Sequence, residues 1–185
     1  MTTVLILAGG KSTRMGEDKS TMFGGVDRIH AECVKAGVSR IITLCGSSDR
    51  LGDFTGEVWV DPIDCRGVLD VVRWAINQLN DDVLLIPCDA FNISKIGIKE
   101  LLSQDNCIPN DEFSNRQPLF ARISNPAEID WDSTSLTGLF AKFPDYQNNA
   151  ISSCIVNSSI DAIGTGRRNI LSSVPSVLLE IEVRK

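Results

Sequence analysis

Short apolar runs and helical periodicity alternate along the first half of the chain. Runs typical of buried parallel strands occupy residues 4–7, 40–45, 57–60 and 83–88. Between them, apolar positions recur every three or four residues, which predicts helices over 26–36 and around 69–79. Strands that alternate with helices form right-handed crossover units. The pattern therefore predicts a three-layer, Rossmann-like α/β fold with a mostly parallel sheet.

The second half of the chain is less regular. Its apolar positions predict a strand at 118–123 and a helix over 136–143, followed by strands at 151–156 and 177–183. We see no repeat, low-complexity tract or linker that would mark a domain boundary. The 185 residues are therefore predicted to form one domain.

Polar residues and glycines follow three of the predicted strands directly. Gly9 and Gly10 follow the first strand, Asp61 closes the third, and Asp89 comes after the fourth. Ligands of parallel sheets bind beyond the carboxyl ends of the strands, so we expect these residues to share one cleft. Each aspartate could instead cap a helix or hold a turn, and both readings stay open.

The segment after the first strand suits a phosphate group. Two successive glycines let a ligand approach the main-chain amides closely, and Lys11, Arg14 and Lys19 add positive charge nearby. Neither the P-loop nor the dinucleotide-binding fingerprint fits the spacing of the glycines. The residues alone therefore predict a ligand that carries phosphate groups, held by a loop of another type.

Composition limits the partners. A net charge of −6 argues against a general nucleic-acid binder, which needs a broad excess of cations. No segment is long enough to span a bilayer. The chain enters its first strand without a signal-like segment, so we expect a cytoplasmic protein. Its six cysteines lack a CxxC pair and are expected to be buried free thiols.

Three segments carry a family resemblance. Residues 7–19, LAGGKSTRMGEDK, closely resemble the signature LAGGxSxRMGxDK of the nucleotidyltransferases related to molybdenum cofactor guanylyltransferase. Pro87-Cys88-Asp89 resembles the metal-binding aspartate segment of that family. Residues 116–121, RQPLFA, are similar to a stretch typical of its molybdopterin branch. The resemblance covers residues 2 to about 125, and it implies the nucleotidyltransferase version of the fold.

The resemblance also implies an activity and its residues. Members transfer GMP from GTP to a phosphorylated small-molecule acceptor, here molybdopterin, with Mg²⁺ and release of pyrophosphate. The nucleotide-binding part would span about 1–105 and the acceptor-binding part about 106–185. The residues implied as catalytic are Arg14, Lys19 and Asp89, and Asp89 would hold the metal. The residues implied to contact the nucleotide are Leu7, Ala8, Gly9, Gly10, Lys19, Asp61 and Asp89.

The sequence departs from the family pattern at several places, two of which concern the expected contacts with the nucleotide and the acceptor. Gly46 stands where the molybdenum enzymes usually present an asparagine to the nucleotide, and the segment after Asn157 matches the usual ending only in part. Two alternatives therefore stay open. One is guanylyl transfer to cobinamide phosphate, and the other is a non-catalytic nucleotide-binding accessory protein.

Overall fold

The computed structural model describes residues 1–10, Ser20 and 24–147. In this part of the chain the strands are β1 (Thr2–Leu7), β2 (Arg40–Gly46), β3 (Glu57–Val60), β4 (Asp82–Pro87), β5 (Ile108–Pro109), β6 (Arg122–Ile123) and β7 (Asp145–Tyr146). The α-helices are α1 (Gly25–Ala36), α2 (Val68–Asn77), α3 (Lys95–Leu102) and α4 (Leu136–Leu139). Short 3₁₀ helices occupy Ser48–Asp53, Pro118–Phe120 and Pro126–Glu128.

A five-stranded sheet with the order β3-β2-β1-β4-β6 forms the centre of the molecule. The first four strands are parallel, and β6 runs antiparallel to β4 at the edge. The short strands β5 and β7 pair in parallel with each other. The predicted α/β fold with a mostly parallel sheet is therefore confirmed.

Apolar layers cover both faces of the sheet. Val4 and Ile6 of β1 point to one face and pack in a core with residues of α1 and α3. Leu5 points to the other face and packs with α2. Because β1 is buried on both faces, its apolar run is unbroken where a half-exposed strand would alternate.

Helix α1 agrees closely with its sequence pattern. Its buried positions are Gly25, Val26, Ile29, Cys33 and Ala36. Gly37 ends the helix with φ of 91°, and its amide donates to the carbonyl of Val34. A left-handed conformation at this position favours glycine, which explains why the helix stops there.

The strand predicted at 118–123 is wrong over most of its length. Pro118 opens a 3₁₀ turn, and only Arg122–Ile123 pairs with the sheet. The amide of Phe120 donates to Gln117, and that of Ala121 donates to Pro118. Proline supplies no amide, and the amides of Phe120 and Ala121 donate within the turn, so paired strand begins only at Arg122.

Two helices differ from the sequence prediction. The helix expected over 136–143 is confined to Leu136–Leu139, after which Phe140 and Phe143 pack with ring centroids 5.1 Å apart. Helix α3 was not predicted. Ser94 caps it by accepting from the amide of Gly97. The predicted strands at 151–156 and 177–183 lie outside the described residues.

The cysteines in the described part of the chain are free thiols, as predicted. Cys33, Cys45 and Cys107 are buried, and Cys65 and Cys88 are half-buried. Burial raises the pKa of Cys33 to about 12 and that of Cys107 to about 11. These thiols are therefore protonated at neutral pH. Among the described residues, no helix has both the length and the apolar character needed to cross a membrane.

Candidate functional site

Backbone hydrogen bonds join the carboxyl ends of the central strands. The amide of Ala8, just beyond β1, donates to Leu44 of β2 at 2.9 Å. The amide of Cys88, just beyond β4, donates to Leu7 at 3.1 Å. Helix α1 leads from β1 to β2 on one face, whereas α2 leads from β3 to β4 on the other. The order in which strands are added to the sheet therefore reverses between the parallel strands β1 and β4, and α/β sheets bind ligands at such a point.

Two glycines and one aspartate come unusually close at this edge. A Cβ on Gly9 would lie 2.8 Å from Oδ2 of Asp61 and 2.9 Å from the Cα of Gly46. A Cβ on Gly46, whose φ is +86°, would lie 2.8 Å from the carbonyl oxygen of Gly9. Side chains at either position would force these strand ends apart. The predicted meeting of Gly9 with Asp61 is therefore confirmed, and Gly46 is part of it.

One carboxylate oxygen of Asp61 lacks a hydrogen-bond partner in the described part of the chain. Its Oδ1 atom is buried and accepts no hydrogen bond from the residues that the structure describes. Burial raises the pKa of Asp61, and a backbone hydrogen bond with Gly46 and the positive charge of Arg50 offset this in part. A buried carboxylate oxygen with no donor is costly, so it favours a ligand that brings a cation or a donor.

This raised pKa gives Asp61 a testable effect on stability. In the folded protein, Asp61 keeps its proton at pH values above its ordinary pKa of 3.8. Ionisation of this buried carboxylate therefore destabilises the folded state as the pH rises from 3.8 through the raised pKa. The neutral variant Asp61→Asn is expected to melt at a higher temperature than the parent at pH 7. Calorimetry without ligands should show the difference closing as the pH falls toward 3.8. A variant that melts lower at pH 7 than the parent, and equally at low pH, would contradict the cost assigned to this carboxylate.

Asp89 lies in a tight turn directly after β4 and is half-buried. Its carbonyl accepts from the amide of Phe91 at 2.8 Å. Arg28 of α1 donates to the carbonyls of Ala90 and Ile93 at 2.6 and 2.7 Å. The helix that follows the glycine loop therefore also holds the turn that carries Asp89.

Arg50 is a residue that the sequence analysis missed. Its guanidinium donates to the carbonyl of Ala8 at 2.5 Å, to that of Cys45 at 3.1 Å, and to the hydroxyl of Ser20 at 2.8 Å. It also lies over the ring of Phe54, 5.2 Å from the centroid. Nothing in the surrounding polar sequence marks this arginine, because its partners are main-chain atoms and a serine distant along the chain.

The carboxylates at this edge fit one kind of metal site. In the described ranges, no three His, Cys, Asp or Glu side chains are grouped so that they could hold a metal ion. Magnesium needs fewer protein ligands, because it keeps several waters and takes one or two carboxylates together with substrate phosphates. A single carboxylate at this edge, such as that of Asp89, is therefore enough for an ion that a bound phosphate completes.

The remaining predicted site residues fall into two groups. Leu7, Ala8, Gly9 and Gly10 lie at the end of β1, where Ala8 is buried and Gly10 is exposed. Lys11, Arg14 and Lys19 lie outside the described residues. The catalytic roles of Arg14 and Lys19 therefore stay predictions.

The segment that resembles the molybdopterin branch makes contacts within the protein. Arg116 pairs with Asp145 and donates to the carbonyl of Phe143 at 2.6 Å. The side chain of Gln117 donates to the buried carboxylate of Asp111 at 2.9 Å. Both side chains thus hold the region around β5 and β7 together, which gives them a structural role.

The two glycines of the loop are expected to differ in their tolerance of alanine. Gly9→Ala should lower the free energy of unfolding by about 1–3 kcal/mol, because the new methyl group overlaps Asp61 and Gly46. Gly10→Ala is the matched control: no atom of the described residues lies within 4 Å of its Cβ position, and we expect a change within about 0.5 kcal/mol. Urea unfolding followed by circular dichroism measures both. Equal stability of the two variants would mean that the strand ends do not approach as described.

Comparison with known families gives one clear match. Residues 4–134 match the family described as the MobA-like NTP transferase domain. The match includes the glycine loop, Asp61 and Asp89, and it covers well over half of the chain.

Curated relatives give a match of similar extent. Two proteins, from Synechococcus elongatus and a second Synechococcus strain, are named "Probable molybdenum cofactor guanylyltransferase". Each is 29% identical over 116 residues, which cover 58% of this chain and 60% of the relative. The chain thus spans about three fifths of the length of these relatives.

Solved structures share the fold at low sequence identity. The molybdopterin-guanine dinucleotide biosynthesis protein A of Archaeoglobus fulgidus aligns with a TM-score of 0.58 and 15% identity, over 87% of this chain and 88% of its own. A protein of Aquifex aeolicus aligns with a TM-score of 0.59 and 16% identity, over 78% and 84% of the two chains. Rv0371c of Mycobacterium tuberculosis aligns with a TM-score of 0.58 and 14% identity, over 80% and 86%.

Proposed function

Because this chain belongs to the MobA-like NTP transferase family, we propose that it transfers GMP from GTP to a phosphorylated acceptor and releases pyrophosphate. Molybdopterin is the proposed acceptor. The names of the two Synechococcus relatives support this choice. The proposal includes Mg²⁺ as the cofactor and the cytoplasm as the location.

One observation carries the proposal. The glycine loop after β1 meets Asp61 beyond β3, with 2.8 Å between Asp61 Oδ2 and the position of a Cβ on Gly9. Asp89 follows β4, the neighbour of β1 on its other side. A phosphate chain at this edge would have main-chain amides beneath it and carboxylates on both sides, which suits a triphosphate with its metal ion.

The proposed reaction requires that the substrates be positioned and that the charge on their phosphates be neutralised. An acceptor phosphate oxygen is already an anionic nucleophile, so the enzyme needs neither a covalent intermediate nor a strong base. The amides of Gly9 and Gly10 would hold the phosphates, and Asp89 would hold the metal, with Asp61 as a second contact to metal or nucleotide. A magnesium ion held there would supply positive charge to the reacting phosphate oxygens. Arg14 and Lys19 would balance charge on the leaving pyrophosphate.

Pyrophosphate release tests the proposal. The protein is incubated with each of the four ribonucleoside triphosphates, Mg²⁺, and either molybdopterin or cobinamide phosphate. We expect release with GTP and molybdopterin only. Release with GTP and cobinamide phosphate would mean that the reaction is guanylyl transfer as proposed, with cobinamide phosphate as the acceptor. If the protein binds GTP but releases no pyrophosphate with either acceptor, it is an accessory nucleotide-binding protein and not an enzyme.

A further inference from the structure

We propose that Arg50 is a positioning residue that fixes both ends of the glycine loop, and so prepares that loop for the triphosphate. The inference rests on the proposed function, because it assigns the loop to phosphate binding. Arg50 itself would act through the loop. It would not touch the nucleotide.

The hydrogen bonds of Arg50 reach three separate parts of the chain. Ala8 is the last residue before the glycines, and its carbonyl accepts from Nη1 at 2.5 Å. Cys45 lies near the end of β2, and its carbonyl accepts from the same nitrogen at 3.1 Å. The hydroxyl of Ser20, beyond residues 9–19, accepts from Nη2 at 2.8 Å. One rigid guanidinium therefore joins the entry of the loop to its exit and to the next strand.

Ser20 is itself fixed to the start of α1. It is 3% exposed, and its carbonyl accepts from the amide of Val26 at 2.8 Å. A Cβ on Gly25 would lie 1.7 Å from that carbonyl oxygen. The exit of the loop is thus packed against the helix, and the bond from Arg50 sets its distance from β1.

The surroundings of Arg50 favour positioning over direct phosphate contact. Its side chain is only 13% exposed, and its Nε lies 3.8 Å from Oδ2 of Asp53. An arginine has five N–H donors. Those on Nη1 and one on Nη2 are directed at protein oxygens. A phosphate contact through Nη1 would break its bonds to Ala8 and Cys45 and deprive these strand-end carbonyls of that donor.

The inference predicts a selective kinetic effect. A segment whose two ends are held in place loses less conformational freedom when it binds a ligand. Without the hydrogen bonds of Arg50, the two ends of the loop would have to be fixed each time the triphosphate binds. The KM for GTP should therefore rise while the KM for the acceptor stays unchanged.

Three variants and one control test this. In Arg50→Met we expect the KM for GTP to rise about tenfold or more, which corresponds to the loss of a charged hydrogen bond. Ser20→Ala should raise it less, and the double variant should be no worse than Arg50→Met, because both changes remove the same bond. Arg50→Lys keeps the charge without the fork and should fall between the parent and Arg50→Met. Arg40→Met is the control, since Arg40 pairs with Glu57 and stacks on Trp59 at the opposite end of β2.

A second readout needs no nucleotide. Hydrogen exchange by NMR reports the amide of Val26, which donates to the carbonyl of Ser20. We expect faster exchange in Arg50→Met and Ser20→Ala than in the parent and in Arg40→Met. If Arg50→Met is too unstable to purify, Arg50→Lys and Ser20→Ala decide the question.

The two readouts separate the failure of this inference from the failure of the proposed function. GTP kinetics and Val26 exchange like those of Arg40→Met would overturn the role of Arg50, even in an active enzyme. If the parent turns over no triphosphate, the proposed function fails. Val26 exchange would then still decide whether Arg50 fixes the end of this loop.

Discussion

Replacing Asp89 with asparagine is expected to lower kcat/KM about 100-fold or more, because it would remove the charge that we propose to hold the metal against the phosphates. The effect should fall on catalysis and not on folding. The turn around Asp89 is held through main-chain atoms, including the 2.8 Å bond from the amide of Phe91. Asparagine keeps the size of the side chain and leaves these bonds in place.

Steady-state pyrophosphate release at several Mg²⁺ concentrations measures this effect. Asp105→Asn is the matched control, because Asp105 is an exposed aspartate in the loop beyond α3. It should turn over like the parent. Thermal melting of both variants should match the parent within a few degrees. An active Asp89→Asn enzyme with an unchanged Mg²⁺ requirement would remove Asp89 from the metal site.

Replacing Gly25 with alanine is expected to cost about 3 kcal/mol of unfolding free energy or more, because two penalties combine. Gly25 has φ of +43°, where a Cβ is strained. That Cβ would also lie 1.7 Å from the carbonyl oxygen of Ser20. The main chain would have to move at the point where the loop meets α1.

Urea unfolding measures this loss against a glycine in open surroundings. Gly52 lies in the 3₁₀ helix Ser48–Asp53, and no atom in the described part of the chain is within 4 Å of its Cβ position. Gly52→Ala should change the unfolding free energy by no more than about 0.5 kcal/mol. If Gly25→Ala proves as stable as Gly52→Ala, the described packing of Ser20 against the start of α1 is incorrect.

The elements that sequence patterns predicted well are those governed by burial. The runs that became β1 and β4 are covered on both faces, so their composition alone marks them. The placement of Gly9, Asp61 and Asp89 at one edge follows from parallel strand order, since such strands end on the same side. The family signature added the assignment of that edge to a nucleotide.

The features that were missed depend on contacts distant along the chain. Arg50 bonds to Ala8 and Ser20, and no local pattern encodes partners 42 and 30 residues away. Gly46 was noted for a missing asparagine, whereas its close approach to Gly9 shows a second reason for glycine. The apolar run at 118–123 resembles a strand, but Pro118 diverts its first half into a turn.

A crystal structure with Mg²⁺ and a non-hydrolysable GTP analogue tests the central claim most directly. We expect phosphate oxygens about 3 Å from the amides of Gly9 and Gly10, with the ion coordinated by Asp89. A nucleotide bound away from the carboxyl edge of β1, or an ion that does not contact Asp89, would contradict the proposed site.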